Sequence, residues 1–151
     1  MINKVDKEDI LNYCHLWNWY PDWEIVFKLY EYEPDSYSVF TPFAYSYLEE
    51  LIRSTTHEYG IVASDVKGNI IKKRKVGLGL INLAIEENKD NIDYIKLLEQ
   101  SKMYFKDSSE FDEGNNRNST LHGYIHPRFW CKNSFEDLIH FIAQLSEYAR
   151  F

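Results

Sequence analysis

Near the end of the chain, apolar residues recur every three or four positions, which is the spacing of one face of an α-helix. Ser134 precedes this stripe and Asp137 follows three positions later, a variant of the capping box that starts many helices. We therefore predict a helix from Ser134 to Tyr148, packed at the centre of the protein. Its predicted buried residues are Phe135, Leu138, Ile139, Ile142, Ala143 and Leu145.

A second strong stripe follows Thr41 and Pro42, which suit the N-cap and the first position of a helix. Gly60 is typical of the residue that ends such a segment. The apolar positions of this predicted helix are Phe43, Ala44, Tyr47, Leu48, Leu51, Ile52 and Thr55.

Three weaker patterns predict helices over about Asp6–Trp17, Leu78–Glu87 and Asn91–Lys106. Asp6 is the predicted N-cap of the first, and Asp90 with Asp93 resembles a cap for the last. The inward positions of the last two are Leu80, Ile81, Ala84 and Ile85, and Ile92, Ile95, Leu98 and Met103. Residues 19–40 carry two prolines and many aromatics, and we assign Trp23–Tyr32 to a helix rather than to an extended segment.

Residues 61–76 break the helical pattern. Two short apolar runs flank Asp65–Gly68, which favours a short β-hairpin or an ordered loop. Together the patterns predict an all-α fold, a bundle of four to five main helices, with this insert. The length of 151 residues fits one domain, residues 1–151.

Composition narrows the classes of protein. The sequence has no run of about 18 apolar residues, so no membrane span is expected. The N-terminus lacks the apolar region of a signal peptide, and Cys14 and Cys131 show no paired metal-binding spacing. We therefore expect reduced thiols in a cytoplasmic protein. A formal net charge of −7 argues against non-specific coating of nucleic acid, but leaves a local site open.

The concentrated basic run is Lys72, Lys73, Arg74 and Lys75. A run of this kind is usually a solvated face. The functional alternative is a patch that faces phosphates, with Lys72, Lys73 and Arg74 as candidate substrate-binding residues.

One segment contains side chains that are suited both to binding a phosphate and to proton transfer. It follows a polar stretch, and its sequence favours a short helix. It consists of Asn116, Arg117, Asn118, Ser119, Thr120, Leu121, His122 and Gly123. On a helix, Asn118 and His122 share a face, whereas Arg117 lies about 140° from His122. Arg117, Asn118 and the helix N-terminus together suit a phosphate.

His122 suits proton transfer near neutral pH, since the unperturbed pKa of histidine is about 6.5. Gly123 would permit close approach of a substrate. A metal-independent ribonuclease needs a base, an acid and a cation at the scissile phosphate. One Arg and one His are too few for these tasks, but two copies about a twofold axis would suffice. In the alternative interpretation, Arg117 pairs with Glu110 or Asp112 and His122 has only a structural role.

The same segment resembles the signature of the HEPN (higher eukaryotes and prokaryotes nucleotide-binding) superfamily, an Arg, a polar residue, a few more residues and a His. Arg117, Asn118 and His122 match it, with four residues between Arg117 and His122. The flanking Asn116 and Leu121–Gly123, and the helix after Ser134, resemble the flanks of many members. The resemblance is specific over about 35 residues, from Asn115 to Tyr148.

The resemblance implies a bundle of four or five helices, a homodimer with facing Arg and His motifs, and no cofactor or metal. Active members are endoribonucleases of toxin–antitoxin and other defence systems, which implies RNA as substrate and a cognate antitoxin as a further partner. His122 would then be the acid–base residue, Arg117 would engage the phosphate, and Asn118 would orient one of them. Asn116 and Gly123 are candidate substrate contacts. Other members are inactive and bind RNA, nucleotides or proteins.

Two competing site hypotheses come from the residues. His122 and His126 have a metal-ligand spacing, but Pro127 and the missing glutamate after His122 disfavour it, so we predict no metal site. Aromatic residues from Tyr13 to Tyr37 could stack on bases, although core or interface packing is the favoured role. His15 and His57 stand alone and are predicted to be structural.

Overall fold

The computed structural model describes residues 1–61, 66–69, 73–106, 115–118 and 126–151. These ranges contain helices and no strands, which confirms the all-α prediction for this part of the chain. Six α-helices lie in the described ranges, one more than the upper bound of four to five predicted from the patterns. They are α1 (Lys4–Tyr13), α2 (Tyr20–Tyr32), α3 (Tyr37–Ser54), α4 (Gly77–Glu87), α5 (Ile92–Ser101) and α6 (Lys132–Ser146). Short 3₁₀ helices cover Pro34–Ser36, Lys102–Phe105 and Pro127–Phe129.

α6 lies at the centre, as the periodicity predicted. It packs against α1, α3 and α5, while α4 packs against α3 and α5, and α2 lies against α1. Every one of the six helices contributes side chains to a common hydrophobic core. All six predicted apolar positions of α6 are buried. The amphipathic pattern therefore identified the face that drives folding, since burial of apolar area is the main favourable contribution.

The N-cap of α1 lies three residues earlier than predicted. Asn3, not Asp6, is the N-cap, and its side-chain oxygen accepts a 2.8 Å hydrogen bond from the Asp6 amide. The Asn3 side-chain nitrogen donates in return to Asp6 Oδ2 at 2.8 Å. The two residues thus satisfy each other in the manner of a capping box, with Asp6 in the first turn rather than at the cap.

α3 begins at Tyr37, so Thr41 and Pro42 are not its N-cap and first residue. The 3₁₀ helix Pro34–Ser36 runs directly into α3, and the Thr41 hydroxyl donates to the Tyr37 carbonyl at 2.7 Å. Pro42 therefore lies inside the helix, where its nitrogen cannot donate to the carbonyl of Ser38. α3 ends at Ser54, before Gly60, which adopts a φ of +72°.

Two further predicted caps are wrong. α5 is capped by Asn91, whose side-chain oxygen accepts from the Tyr94 amide at 3.1 Å, so Asp90 is not involved. α6 starts at Lys132, two residues before Ser134, shortly after the 3₁₀ helix Pro127–Phe129. The amide of Phe135 donates to the Cys131 carbonyl, so Cys131 and not Ser134 is the N-cap.

The face predicted for α5 is also partly wrong, since Ile92 and Met103 are exposed and Tyr94 is buried instead. The predicted Asn91–Lys106 helix is shorter, with α5 followed by a 3₁₀ turn, and α1 ends before Trp17. The helical assignment of Trp23–Tyr32 is confirmed by α2. Of the predicted hairpin or loop, residues 62–65 and 70–72 lie outside the described ranges, and residues 61, 66–69 and 73–76 contain no strand.

Candidate functional site

Arg117 forms an ion pair with α3. Its Nε lies 2.8 Å from Glu49 Oε2, and the Arg117 side chain keeps 23% of its surface exposed. Ser46, Glu49, Arg53 and Arg117 line a hollow of about 140 Å³. Arg117 is therefore neither sealed inside the protein nor free on its surface, but sits at the wall of a small solvent-reachable hollow.

Arg53 is the buried centre of this cluster. Its terminal nitrogens contact Glu49 Oε1 at 3.3 Å, Glu50 Oε2 at 3.0 Å and the carbonyl oxygen of Lys75 at 2.8 Å. Only 4% of Arg53 is exposed. A buried guanidinium needs this number of acceptors, because an unpaired buried charge is strongly destabilising.

The basic run meets the same cluster through its last residue. The Lys75 carbonyl accepts from Arg53, and the Lys75 amide donates to Glu58 Oε2 at 2.8 Å, with Glu58 itself buried. Lys73 and Arg74 are exposed, whereas Lys72 lies outside the described residues. Arg53 therefore links the basic run to Arg117 through Glu49, two features that are remote in sequence.

Asn116 and Asn118 hold the start of the segment in place. The Asn118 side-chain nitrogen donates to the carbonyls of Phe105 and Lys106 at 3.3 and 2.6 Å. Asn116 has no exposed surface, and its side-chain nitrogen donates to Asn115 Oδ1 at 3.1 Å. In this conformation the Asn116 side chain is buried and is not presented to a substrate.

The remaining predicted site residues, His122 and Gly123, lie outside the described residues, as do Glu110 and Asp112. The pairing of Arg117 that the described residues provide is with Glu49. Sequence reasoning missed Glu49 and Arg53. The available signal was a Glu–Arg pair four positions apart, directly beside the apolar stripe of the helix that contains Pro42.

The described histidines have structural partners. His15 Nδ1 accepts from the amides of Trp17 and Asn18, both at 3.2 Å, and His126 Nδ1 accepts from the Arg128 amide at 3.3 Å. His140 Nδ1 lies 3.0 Å from Asp6 Oδ1, a pair that the sequence did not indicate.

His57 contacts Glu87 through both its amide and its ring. Burial alone would raise the pKa of Glu87, but the hydrogen bonds from His57 and the nearby charges of His57 and Lys75 hold this pKa below its ordinary value. Within the described ranges, no group of three His, Cys, Asp or Glu side chains is placed to hold a metal ion.

The aromatic residues from Tyr13 to Tyr37 divide into three groups. Trp23, Phe27 and Tyr30 are buried, while Trp19, Tyr20 and Tyr37 pack against the core partly buried. Trp23 lies against Phe27, Phe43 and Tyr47 with ring centroids 5.0–5.1 Å apart, which confirms core packing for this residue. Tyr13, Trp17 and Tyr32 are exposed.

Larger hollows lie away from the predicted site. One of about 680 Å³ is lined by Leu11, Ile25 and Phe27 between α1 and α2, and one of about 470 Å³ by Tyr30, Lys132 and Glu136. Neither contains a residue of the Arg117 cluster, so size alone does not identify the site.

Among the described residues, no helix is both long and apolar enough to cross a membrane. Comparison with protein-family models, curated proteins and solved structures gives no match to this chain.

Proposed function

We propose that this chain is a metal-independent endoribonuclease of the HEPN type, acting in toxin–antitoxin or related defence. Arg117 engages the scissile phosphate, His122 transfers protons, and Asn118 orients Arg117 by fixing the start of its segment to the Phe105 and Lys106 carbonyls. The proposal includes the HEPN-like bundle, a homodimer and a cognate antitoxin. RNA is the substrate class.

One observation carries the proposal. Arg53 bonds to the Lys75 carbonyl and to Glu49, and Glu49 pairs with Arg117. The backbone of the basic run at Lys75 is therefore bonded to Arg53, and Arg53 lines the same small hollow as Arg117. Exposed Lys73 and Arg74 supply the long-range attraction for a polyanion that a chain of net charge −7 otherwise lacks.

The reaction requires no metal. A base removes the proton from the ribose 2′-hydroxyl, and the 2′-oxygen attacks phosphorus. The bond from phosphorus to the 5′-oxygen breaks, and an acid delivers a proton to that oxygen. The products are a 2′,3′-cyclic phosphate and a 5′-hydroxyl. Arg117 stabilises the negative charge that develops on the phosphoryl oxygens.

Two proton-transfer groups are needed, and the motif supplies one histidine. A second copy of the chain would bring a second Arg117 and His122 to the same phosphate, so that one histidine acts as base and the other as acid. The homodimer is therefore part of the chemistry of the proposal.

The test is cleavage of a mixed-sequence RNA in the presence of EDTA. The wild-type protein is expected to produce 2′,3′-cyclic phosphate ends, and Arg117→Ala or His122→Ala is expected to lower the rate about 100-fold or more. Arg128→Ala and His126→Asn are matched controls, since Arg128 is exposed and asparagine can still cap the Arg128 amide. The controls are expected to keep the wild-type rate.

Cleavage that survives both substitutions would refute the assigned residues, and cleavage that requires a divalent ion would refute the mechanism. RNA binding without cleavage in the wild-type protein, weakened by Arg117→Ala, would instead support an inactive RNA-binding module. Because such enzymes are often selective for one RNA, growth arrest on expression, relieved by Arg117→Ala, gives an independent readout.

A further inference from the structure

The Arg117 guanidinium is held along one edge only. Its Nε forms an ion pair with Glu49 Oε2 at 2.8 Å, without the alignment of a hydrogen bond, and no described residue forms an ion pair or hydrogen bond with Nη1 or Nη2. A guanidinium carries five N–H donors in a planar fork. With Nε paired to the Glu49 carboxylate by charge, the edge formed by Nη1 and Nη2 keeps the geometry that binds a phosphate through two parallel hydrogen bonds.

Glu49 is itself fixed in position. It is 8% exposed and lies in the last third of α3. Its Oε1 accepts a hydrogen bond from Arg53 at 3.3 Å, while Oε2 faces Arg117. Release of this carboxylate would leave a buried guanidinium short of an acceptor, which is costly. Arg53 is anchored in turn by Glu50 and by the Lys75 carbonyl. Glu49 therefore provides a fixed negative charge for Arg117, and not a mobile competitor.

We propose that Glu49 is a positioning residue of the ribonuclease: it holds Arg117 by Nε and directs Nη1 and Nη2 at the scissile phosphate. This inference rests on the proposed function. Glu49 itself touches no RNA and acts only through Arg117, and Arg53 braces it.

The opposite role would be inhibition, in which the Glu49 carboxylate occupies the phosphate position and RNA must displace it. The two roles predict opposite effects of removing Glu49 on the rate of RNA cleavage. If Glu49 positions Arg117, its removal slows cleavage. If Glu49 competes with phosphate, its removal strengthens RNA binding and speeds cleavage.

The kinetic test compares Glu49→Ala with Glu49→Gln, which keeps the length of the side chain and an oxygen atom that can lie beside Nε. Glu49→Ala is expected to lower kcat about tenfold or more with a smaller change in KM, since a misplaced group loses transition-state contacts. Glu49→Gln is expected to recover most of that loss. Glu86→Ala is the control, because Glu86 is exposed on α4 and contacts neither Arg53 nor Arg117. Equal kcat values for Glu49→Ala and Glu86→Ala, or faster cleavage by Glu49→Ala, would overturn the inference.

NMR spectra of the arginine Nε–Hε and Nη groups separate this inference from the proposed function. The probe is a 2′-O-methyl RNA, which cannot be cleaved, and the Arg117 signals are identified by their loss in Arg117→Lys. We expect Glu49→Gln to shift the Arg117 Nε signal, and RNA to shift the Nη signals while Nε keeps its position. All variants are compared where circular dichroism shows them to be folded.

Each failure has its own signature. If RNA does not shift the Arg117 Nη signals while Glu49→Gln shifts the Nε signal, the proposed function is refuted, and with it the positioning role. If RNA shifts the Nη signals while Glu49→Gln leaves the Nε signal unchanged, the Glu49 inference alone is refuted.

Discussion

The Tyr30 hydroxyl donates a 2.6 Å hydrogen bond to Glu136 Oε1, and this contact joins α2 to α6. The Tyr30 ring packs beside Phe135 with centroids 5.3 Å apart. Burial, and the hydrogen bond to Glu136, raise the pKa of Tyr30 above its ordinary value.

Replacement of Tyr30 by phenylalanine keeps the ring packing and removes the hydrogen bond to a charged acceptor. We expect Tyr30→Phe to lower the free energy of unfolding by about 1–2 kcal/mol. Urea denaturation followed by circular dichroism measures this change. Tyr32→Phe is the control, because Tyr32 is exposed and its hydroxyl meets water; a similar loss there would show that the Glu136 bond is not the cause.

Tyr45 is predicted to behave in the opposite way. Its side chain is fully buried, and among the described residues its hydroxyl has no hydrogen-bond partner. An unpaired buried hydroxyl keeps its desolvation cost. Tyr45→Phe is therefore expected to leave stability unchanged or to raise it by about 1 kcal/mol in the same urea experiment. A loss as large as that of Tyr30→Phe would reveal a partner for the hydroxyl.

The buried tyrosines should limit stability at alkaline pH. Burial raises the pKa of Tyr94 to about 12, and burial with the nearby charge of Asp137 raises that of Tyr104 to about 12, from an ordinary value of 10.0. The folded state therefore holds these protons more tightly than the unfolded state. Their contribution is complete below pH 10 and declines as the pH rises from 10 towards 12.

Urea midpoints measured across this pH range, with phenolate absorbance recorded in parallel, test the prediction. The slope of stability against pH should be smaller for Tyr94→Phe than for the wild type. Phenolate formation by these residues at pH 10, without loss of helical signal, would contradict the assignment.

Asn118 links the candidate site to the end of the preceding 3₁₀ helix. Asn118→Asp replaces a donor by a carboxylate that faces the Phe105 and Lys106 carbonyls, so the attachment is lost. We expect about tenfold slower RNA cleavage with at most about 2 kcal/mol of lost stability. The cleavage assay with EDTA and urea denaturation measure the two effects. A variant that loses stability and keeps its cleavage rate would limit Asn118 to a structural role.

The two thiols should differ in reactivity. Cys14 is buried, and burial raises the pKa of its thiol to about 11, whereas Cys131 is half-buried. Since the thiolate is the reactive form, a coloured disulfide reagent should modify Cys131 in the native protein and Cys14 only after denaturation. Cys14→Ser and Cys131→Ser assign the signals. Rapid native labelling of the Cys131→Ser variant would contradict this order.

Patterns of several residues predicted the fold better than single residues predicted caps. The periodicity around Leu138 and Ile142 identified a central helix, because many apolar side chains must agree on one face. A cap depends on one side chain and on the path of the chain before it. Asn3 is the N-cap of α1 because its side chain accepts a hydrogen bond from the Asp6 amide. Thr41 is not an N-cap because α3 continues directly from the 3₁₀ helix Pro34–Ser36.

The site was predictable only in part. Arg117 could be chosen from its short motif, but its partner Glu49 comes from a helix far earlier in the chain. The same holds for Lys75, whose carbonyl meets Arg53. Such contacts depend on tertiary packing, and a pattern within one segment contains no information about them.

Pro42 divides α3 into two parts with different attachments. The turn before it is fastened elsewhere, since the Tyr37 hydroxyl donates to the Trp130 carbonyl at 2.8 Å. The amides of residues 37–41 should therefore exchange with deuterium at a rate similar to that of the segment around Trp130, which precedes α6. They should exchange faster than the amides of the well-packed turns around Leu48 and Ile52. Because Pro42 removes one hydrogen bond of the helix, the first turn of α3 can open locally while the hydrophobic core remains folded.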